Sequence, residues 1–307
     1  MSKPVVYIDG KEGTTGLQIY DRLSTRKDIA LLLIDEEKRK DTMERKKCIN
    51  AADMVFLCLP DAAAKEAVEL IENPDTRVID ASTAHRTAEG WDYGFAELSP
   101  AYRAAIARSK RVANPGCHAS GLIAAVYPLV EGGILPRDFP LTAYSLTGYS
   151  GGGKKMIAEY EDADRDLRHE SCRIYGTNLR HKHLPEMQKI CGLAQPPLFS
   201  PIVGDYYKGM ATTVLLPGFS AEKIWTCLSR HYEGQKLVSV APLGGDEAVI
   251  YSNALAGKDT LRLSVCGHEG QTAVTALFDN LGKGASGAAV QNMNLMLGFE
   301  ETAGLSL

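Results

Sequence analysis

The chain has 307 residues, 45% of them hydrophobic and 23% charged, with a formal net charge of −4. That composition suits a globular enzyme of one large or two smaller domains and excludes disorder. Lysines and arginines are scattered apart from the short cluster "EEKRKD", so there is no basic footprint for nucleic acid and a small-molecule partner is expected.

"MSKPVVYIDG" has no long apolar core of a signal peptide, and no apolar run approaches membrane-spanning length. A cytoplasmic protein with no membrane partner is expected. The seven cysteines are odd in number and show no C-x-x-C or zinc-type spacing, which favours reduced thiols and no bound metal. Cys58 in "MVFLCLP" and Cys266 in "LRLSVCG" read as buried core thiols.

From the N-terminus, the runs "VVYID", "ALLLID", "MVFLCLP" and "RVIDAS" alternate with helical patterns. This alternation predicts an α/β domain with a Rossmann-type, doubly wound parallel sheet. Between the first two runs, Gly10, Gly13 and Gly16 follow a strand and open a helix, with Thr14 and Thr15 in its first turn. Glycines there let the backbone approach a pyrophosphate, whose charge is met by free N–H groups at the helix start. A dinucleotide cofactor is expected.

Asp35 ends the second run and is placed to accept ribose hydroxyls, while Lys38, Arg39 and Lys40 follow and could hold the extra phosphate of NADP. These residues leave NAD and NADP both open. Over 61–72, Ala64, Ala67, Val68 and Ile71 fall at helical spacing with Lys65, Glu66 and Glu69 solvated, as in a crossover helix. "DASTAHR" then follows a strand's carboxyl end, where doubly wound sheets bind ligands. It brings Ser82, assigned to the cofactor, and Arg86, a bidentate donor suited to a phosphate or carboxylate.

"NPGCHASGLIAAVYPLV" contains the chain's most informative thiol. Asn114, Pro115 and Gly116 form a turn, and the apolar run after them reads as a buried helix with Cys117 at its N-terminus. The helix dipole and unpaired N–H groups there favour thiolate, the form that attacks a carbonyl, and could stabilise an oxyanion. Asn114 joins Arg86 as a candidate substrate contact.

From about residue 141 the pattern becomes α+β, with "LTAYSLTGYSGGG", "PLFSPIV", "MATTVLLPG", "KLVSVAPL", "TLRLSVCG" and "QTAVTALFD" as strands and one clear helix at "AEKIWTCLSRHY". Ser150 and Gly151, in the glycine-rich turn, are assigned to substrate. In "LRHKHLPEM", His181 and His183 are two apart and would point opposite ways if extended, with a helix starting at Pro185 and Glu186. One imidazole could serve Cys117 as base and acid.

In "GASGAAVQNMNLMLGF", Ala289, Met293 and Met296 form one stripe, and Asn292 is assigned to the cofactor. This segment is expected to return to the first domain. The expected division is a dinucleotide domain of residues 1–116 with 284–307, and a catalytic and dimerisation domain of residues 117–283.

Glycine loop, "NPGC" and "HKHLPE", in that order, make the chain resemble the N-acetyl-gamma-glutamyl-phosphate reductases over its whole length. "GKEGTTG" in place of "GASGYTG", His118 in place of tyrosine and the short "EEKRKDTMERKKCINAAD" segment fit the shorter subtype. The related aspartate-semialdehyde and glyceraldehyde-3-phosphate dehydrogenases carry Asn-Cys-Thr or Ser-Cys-Thr motifs, unlike the Pro-Gly before Cys117.

The resemblance implies NADPH-dependent reduction of N-acetyl-gamma-glutamyl phosphate in arginine biosynthesis by way of a Cys117 thioester, and a homodimer or homotetramer. It implies His183 as acid and base, with His181 as the alternative or as an orienting residue. Two other readings stand beside it: an aspartate-semialdehyde dehydrogenase-like enzyme on another acyl phosphate, and a non-catalytic dinucleotide-binding regulator.

Overall fold

The computed structural model describes residues 2–244 and 249–307. The chain forms two compact units, Met1–Pro115 with Ala285–Leu305, and Gly116–Gly284 with Ser306–Leu307.

The first unit is built on six strands: β1 (Val5–Asp9), β2 (Ala30–Leu32), β3 (Met54–Leu57), β4 (Arg77–Asp80), β5 (Asp92–Tyr93) and β6 (Arg111–Ala113). They pair in parallel in the order β2-β1-β3-β4-β6-β5, so the order reverses at β1. Helices α1 (Thr14–Ser24), α2 (Thr42–Ala51), α3 (Asp61–Glu69) and α4 (Pro100–Arg108) connect them. β3 is buried at every position, as expected of a central parallel strand covered on both faces.

Against one face, Val6, Ile8, Phe56 and Ile79 pack with Ile19 and Leu23 of α1 and with Ala289, Val290, Met293 and Met296 of the C-terminal helix Gly287–Leu297. The apolar stripe read in "GAAVQNMNLML" is the contact by which the end of the chain returns to this sheet. Against the other face, Tyr7, Val55, Leu57 and Val78 pack with Ile49 of α2 and Ala67 of α3.

The second unit contains α5 (Cys117–Glu131), β7 (Thr142–Gly148), α6 (Gly153–Glu161), β8 (Arg173–Ile174), α7 (Leu184–Cys191), β9 (Leu198–Gly204), β10 (Met210–Pro217), α8 (Ala221–His231), β11 (Val238–Val240), β12 (Leu261–His268) and β13 (Gln271–Phe278). The strands make one mixed sheet in the order β11-β12-β13-β10-β7-β9-β8. Twelve of the fifteen residues of α5 are buried, which makes it the central helix of this unit, laid across β10 and β13 and flanked by α7 and α8. Gly121 permits that approach, because a Cβ there would lie 2.6 Å from the Thr212 side chain.

Four local expectations need correction. The second strand is only Ala30–Leu32, and Asp35 lies beyond it as the cap of a short 3₁₀ turn, its carboxylate accepting the Glu37 N–H at 3.1 Å. The segment after the glycine-rich turn continues as a helix, α6, whose period is masked by the glycines before it and by its charged surface. Cys266 is exposed, since Leu261, Leu263 and Val265 take the inner face of β12 and leave Arg262, Ser264 and Cys266 on the other. Ser306 and Leu307 belong to the second unit, where Ser306 and Asp259 exchange hydrogen bonds at 2.7 and 2.8 Å.

Candidate active site

In the second unit Cys117 is the first residue of α5, with Gly116 as an extended N-cap at φ −78° and ψ 146°. The thiol therefore sits where the free N–H groups and the dipole of a fifteen-residue helix favour negative charge. The Gly116 N–H donates to Oε2 of Glu186, a carboxylate in the first turn of α7 that is only 2% exposed. "NPGC" and "HKHLPE" are thus joined by a hydrogen bond as well as by resemblance. Gly284 packs against the nucleophile, since a Cβ at that position would come within 3.1 Å of the Cys117 Cβ. Its neighbour Lys283 is buried.

His181 and His183 are not extended. His183 has helical angles, φ −88° and ψ −7°, and caps α7, while its N–H donates to His181 Nδ1 at 3.2 Å. Their ring centroids are 4.8 Å apart and nearly perpendicular. Both rings also meet His118, at 5.2 and 5.8 Å. The pair consequently points into one cluster rather than to opposite sides. Leu179, two residues upstream, has φ +57°, the only positive φ among the described non-glycine residues, and this turn directs the histidines.

His118 was absent from the predicted site. Its ring is buried, with Nδ1 2.9 Å from Ser145 Oγ and Nε2 2.7 Å from Tyr175 Oη. Desolvation, aided by the charges of His181 and Lys182, pushes its pKa down to about 3, so the ring is neutral near pH 7. Burial, with a smaller contribution from the charge of Cys117, pushes the Tyr175 phenol well up and keeps it protonated. A histidine in an otherwise apolar helix was the available signal. Ser150 is buried and accepts from Asn280 Nδ2 at 3.0 Å, whereas Gly151 lies exposed in the adjoining 3₁₀ turn.

In the first unit, Gly10 has φ +84°, and a Cβ there would collide with the Cys58 carbonyl oxygen. A Cβ on Gly16 would collide with the Gly10 carbonyl oxygen. Gly13 caps α1 without a side chain, Thr14 and Thr15 begin the helix, and no acidic residue occupies its first turn. The loop is thus a bare, positively polarised cradle. Beside it lies a cavity of about 540 Å³ lined by Gly10, Gly13, Leu32, Arg39, Lys40 and Pro60, among others. Asp35 is not among its lining residues.

Ser82 is engaged locally. Its hydroxyl donates to Asp80 Oδ2 at 2.7 Å, and the same oxygen lies 2.6 Å from His85 Nδ1, whose ring stacks on Trp91 at 4.1 Å. Arg86 spends Nε on the Asn114 carbonyl at 2.9 Å and Nη2 on that of Ala81 at 3.1 Å, bracing the ends of β4 and β6. Asn114 donates to the Ala285 carbonyl and accepts from Asn292 Nδ2 at 3.1 Å. Asn292 Oδ1 is buried with no hydrogen-bond partner among the described residues, an acceptor available to a ligand amide. Cradle, cavity and orphaned acceptor together fit a dinucleotide.

Residues 15–106 match the NAD-binding domain of semialdehyde dehydrogenases, and residues 117–280 match their dimerisation domain. N-acetyl-gamma-glutamyl-phosphate reductase 2 of Pseudomonas putida is 48% identical, over 99% of this chain and 100% of the relative. The chain belongs to the N-acetyl-gamma-glutamyl-phosphate reductase family. A member from Burkholderia ambifaria is 48% identical over 97% of this chain and 98% of its own length, and one from Nostoc is 45% identical over 99% and 100%. Aspartate semialdehyde dehydrogenase II of Vibrio cholerae shares the fold at a TM-score of 0.74 with 16% identity, covering 97% of this chain and 99% of that one. Membership makes the chain an oxidoreductase with a NAD(P)-binding domain. No helix among the described residues is long and apolar enough to cross a membrane.

Proposed function

We propose that the protein reduces N-acetyl-gamma-glutamyl phosphate to N-acetylglutamate 5-semialdehyde with NADPH, releasing phosphate, in arginine biosynthesis. The observation that carries this reading is Cys117 as the first residue of α5, tied through Gly116 to Glu186 of the histidine segment, in a chain 48% identical to family members.

The Cys117 thiolate attacks the acyl carbon, the C–O bond to phosphate breaks, and a thioester remains on the enzyme. The N–H groups of the first turn of α5 hold the charge that gathers on the carbonyl oxygen. When bound, the reduced nicotinamide supplies the hydride that takes the thioester to the aldehyde level. His183 gives a proton to the oxygen that gains charge and takes it back as the C–S bond breaks, which frees the aldehyde and restores the thiolate. His181, whose Nδ1 accepts the His183 N–H, orients that ring or the substrate.

Gly10, Gly13, Thr14, Thr15 and Gly16 hold the cofactor pyrophosphate and Asn292 Oδ1 an amide of the same molecule. Ser82, bonded to Asp80 and to the Ala84 N–H, shapes the turn after β4 on the cofactor side of the sheet. Arg39 and Lys40, which line the cavity, favour NADP over NAD, and Asp35 is released from that role by its capping bond. Arg86 and Asn114 act as braces, while Ser150 and Gly151 are retained as substrate contacts.

A homodimer or homotetramer is supported by the match to a dimerisation domain and by Tyr144, Leu146 and Leu215 on the sheet face opposite α5. Cytoplasmic residence is supported by seven cysteines outside any disulfide. The reverse assay tests the reading: NADP reduction with N-acetylglutamate semialdehyde must require phosphate, and turnover of aspartate semialdehyde alone would replace the substrate assignment.

A further inference from the structure

Behind the nucleophile runs a chain of polar groups with no part in the steps above. Tyr175 Oη is 2.7 Å from His118 Nε2, His118 Nδ1 is 2.9 Å from Ser145 Oγ, and Ser145 Oγ is 2.8 Å from Thr212 Oγ1. His118, Ser145 and Thr212 are each at most 2% exposed, on one helix and two strands of the second unit. Burying three polar side chains together is costly unless every link is made. All three links are made.

The protons in this chain have only two uniform arrangements. A neutral imidazole carries one N–H, and each hydroxyl carries one proton, so the links run either from Tyr175 towards Thr212 or from Thr212 towards Tyr175. In the first arrangement the Tyr175 proton is spent on His118. In the second, His118 Nε2–H donates to the phenolic oxygen, and the Tyr175 O–H is left to donate outward. Tyr175 Oη is held by the residue that follows Cys117, and its ring lies 6.0 Å from that of His181, so the outward direction leaves a donor beside the catalytic cluster.

We propose that His118 is a positioning residue, whose hydrogen bond to Tyr175 turns the phenolic O–H towards the Cys117 sulfur and the oxygen of the group bound to it. Ser145 and Thr212 fix the imidazole tautomer from behind. The protonation state supports the arrangement, because a ring that stays neutral keeps the chain directional. The titratable neighbours are His181, His183, Tyr175, Lys182 and Cys117. The inference rests on the reaction proposed for Cys117 but goes beyond it, since neither His118 nor Tyr175 is needed for that scheme.

The test compares Tyr175→Phe, His118→Phe, His118→Gln and the double Phe variant in the full-length protein. Tyr175→Phe is expected to lower kcat about 10²-fold, and His118→Phe about tenfold, with KM within about twofold of wild type. The double variant should be no worse than Tyr175→Phe alone, and His118→Gln, whose amide can still donate, should recover most of the loss. Additive losses, a Tyr175→Phe enzyme of full activity, or a His118→Gln enzyme no better than His118→Phe would each overturn the proposal.

Alkylation by iodoacetamide, read at the peptide carrying Cys117, gives a second readout that needs no substrate. At pH 7 the rate should fall about threefold in each single Phe variant and no further in the double. Unchanged or additive rates would also overturn the proposal. If wild type turns over no semialdehyde while these rates behave as stated, the substrate assignment fails and the positioning role stands.

Discussion

Glu186 Oε2 accepts the N–H of Gly116, the residue immediately before the nucleophile, at 3.2 Å. One buried carboxylate thereby fixes the peptide that starts α5 to the helix that starts beside His183. Removing it leaves a buried donor unsatisfied, at a cost of about 1–3 kcal/mol, and loosens the placement of the thiol. Glu186→Ala is expected to lower the thermal midpoint and reduce kcat at least about tenfold, whereas Glu186→Gln, which can still accept, keeps the fold. A Glu186→Ala enzyme with wild-type stability and turnover would refute this.

The cofactor cradle makes a different prediction, because it depends on what is absent. At Gly10 the backbone is left-handed, and an added Cβ meets the Cys58 carbonyl oxygen. Gly10→Ala should cost about 1–3 kcal/mol of stability and abolish the fluorescence change on nucleotide binding. Binding at wild-type affinity would show that the loop does not approach the pyrophosphate.

Arg39 and Lys40 both line the cavity next to β2. If they read the extra phosphate, Arg39→Ala should raise the KM for NADP about tenfold or more and leave that for NAD nearly unchanged. Equal effects on both nucleotides would move the phosphate elsewhere.

Burial of His118 also makes the fold acid-sensitive. Its folded pKa, about 3, lies below the ordinary 6.5, so between these values the unfolded chain binds the extra proton and the folded chain does not. Stability contributed by the neutral ring is present above about pH 6.5 and is lost as pH falls towards 3, at up to about 1.4 kcal/mol per unit. Urea midpoints measured at pH 7 and pH 5 should differ less in His118→Gln than in wild type. An unchanged difference would mean that other groups govern the acid limb.

What could be read in advance was local. Gly10, Gly13 and Gly16 announce a turn by their own backbone freedom, and Cys117 announces a helix start because a turn precedes it and an apolar run follows. The Ala289, Met293 and Met296 stripe was legible because one helix face must find a core. Cys266 was misread as a core thiol because its neighbours are apolar, whereas the alternation of Leu261, Leu263 and Val265 puts it on the outer face. By contrast, Glu186 meets Gly116, and Tyr175 meets His118, only after α7 and the β8–β9 pair have been placed. Two histidines two residues apart say nothing of direction until the Leu179 turn is known. Asp35 misled because a strand end and a capping position look alike in sequence.

The central claim is that Cys117 carries the acyl group. The most direct measurement is mass spectrometry of the protein mixed with N-acetyl-gamma-glutamyl phosphate in the absence of reductant, followed by digestion and quantification of phosphate. An N-acetylglutamyl adduct on the peptide containing Cys117, matched by released phosphate, discharged on adding NADPH and missing in Cys117→Ser, is the predicted result. Phosphate release with no adduct, or an adduct on one of the other cysteines that persists in Cys117→Ser, would contradict it.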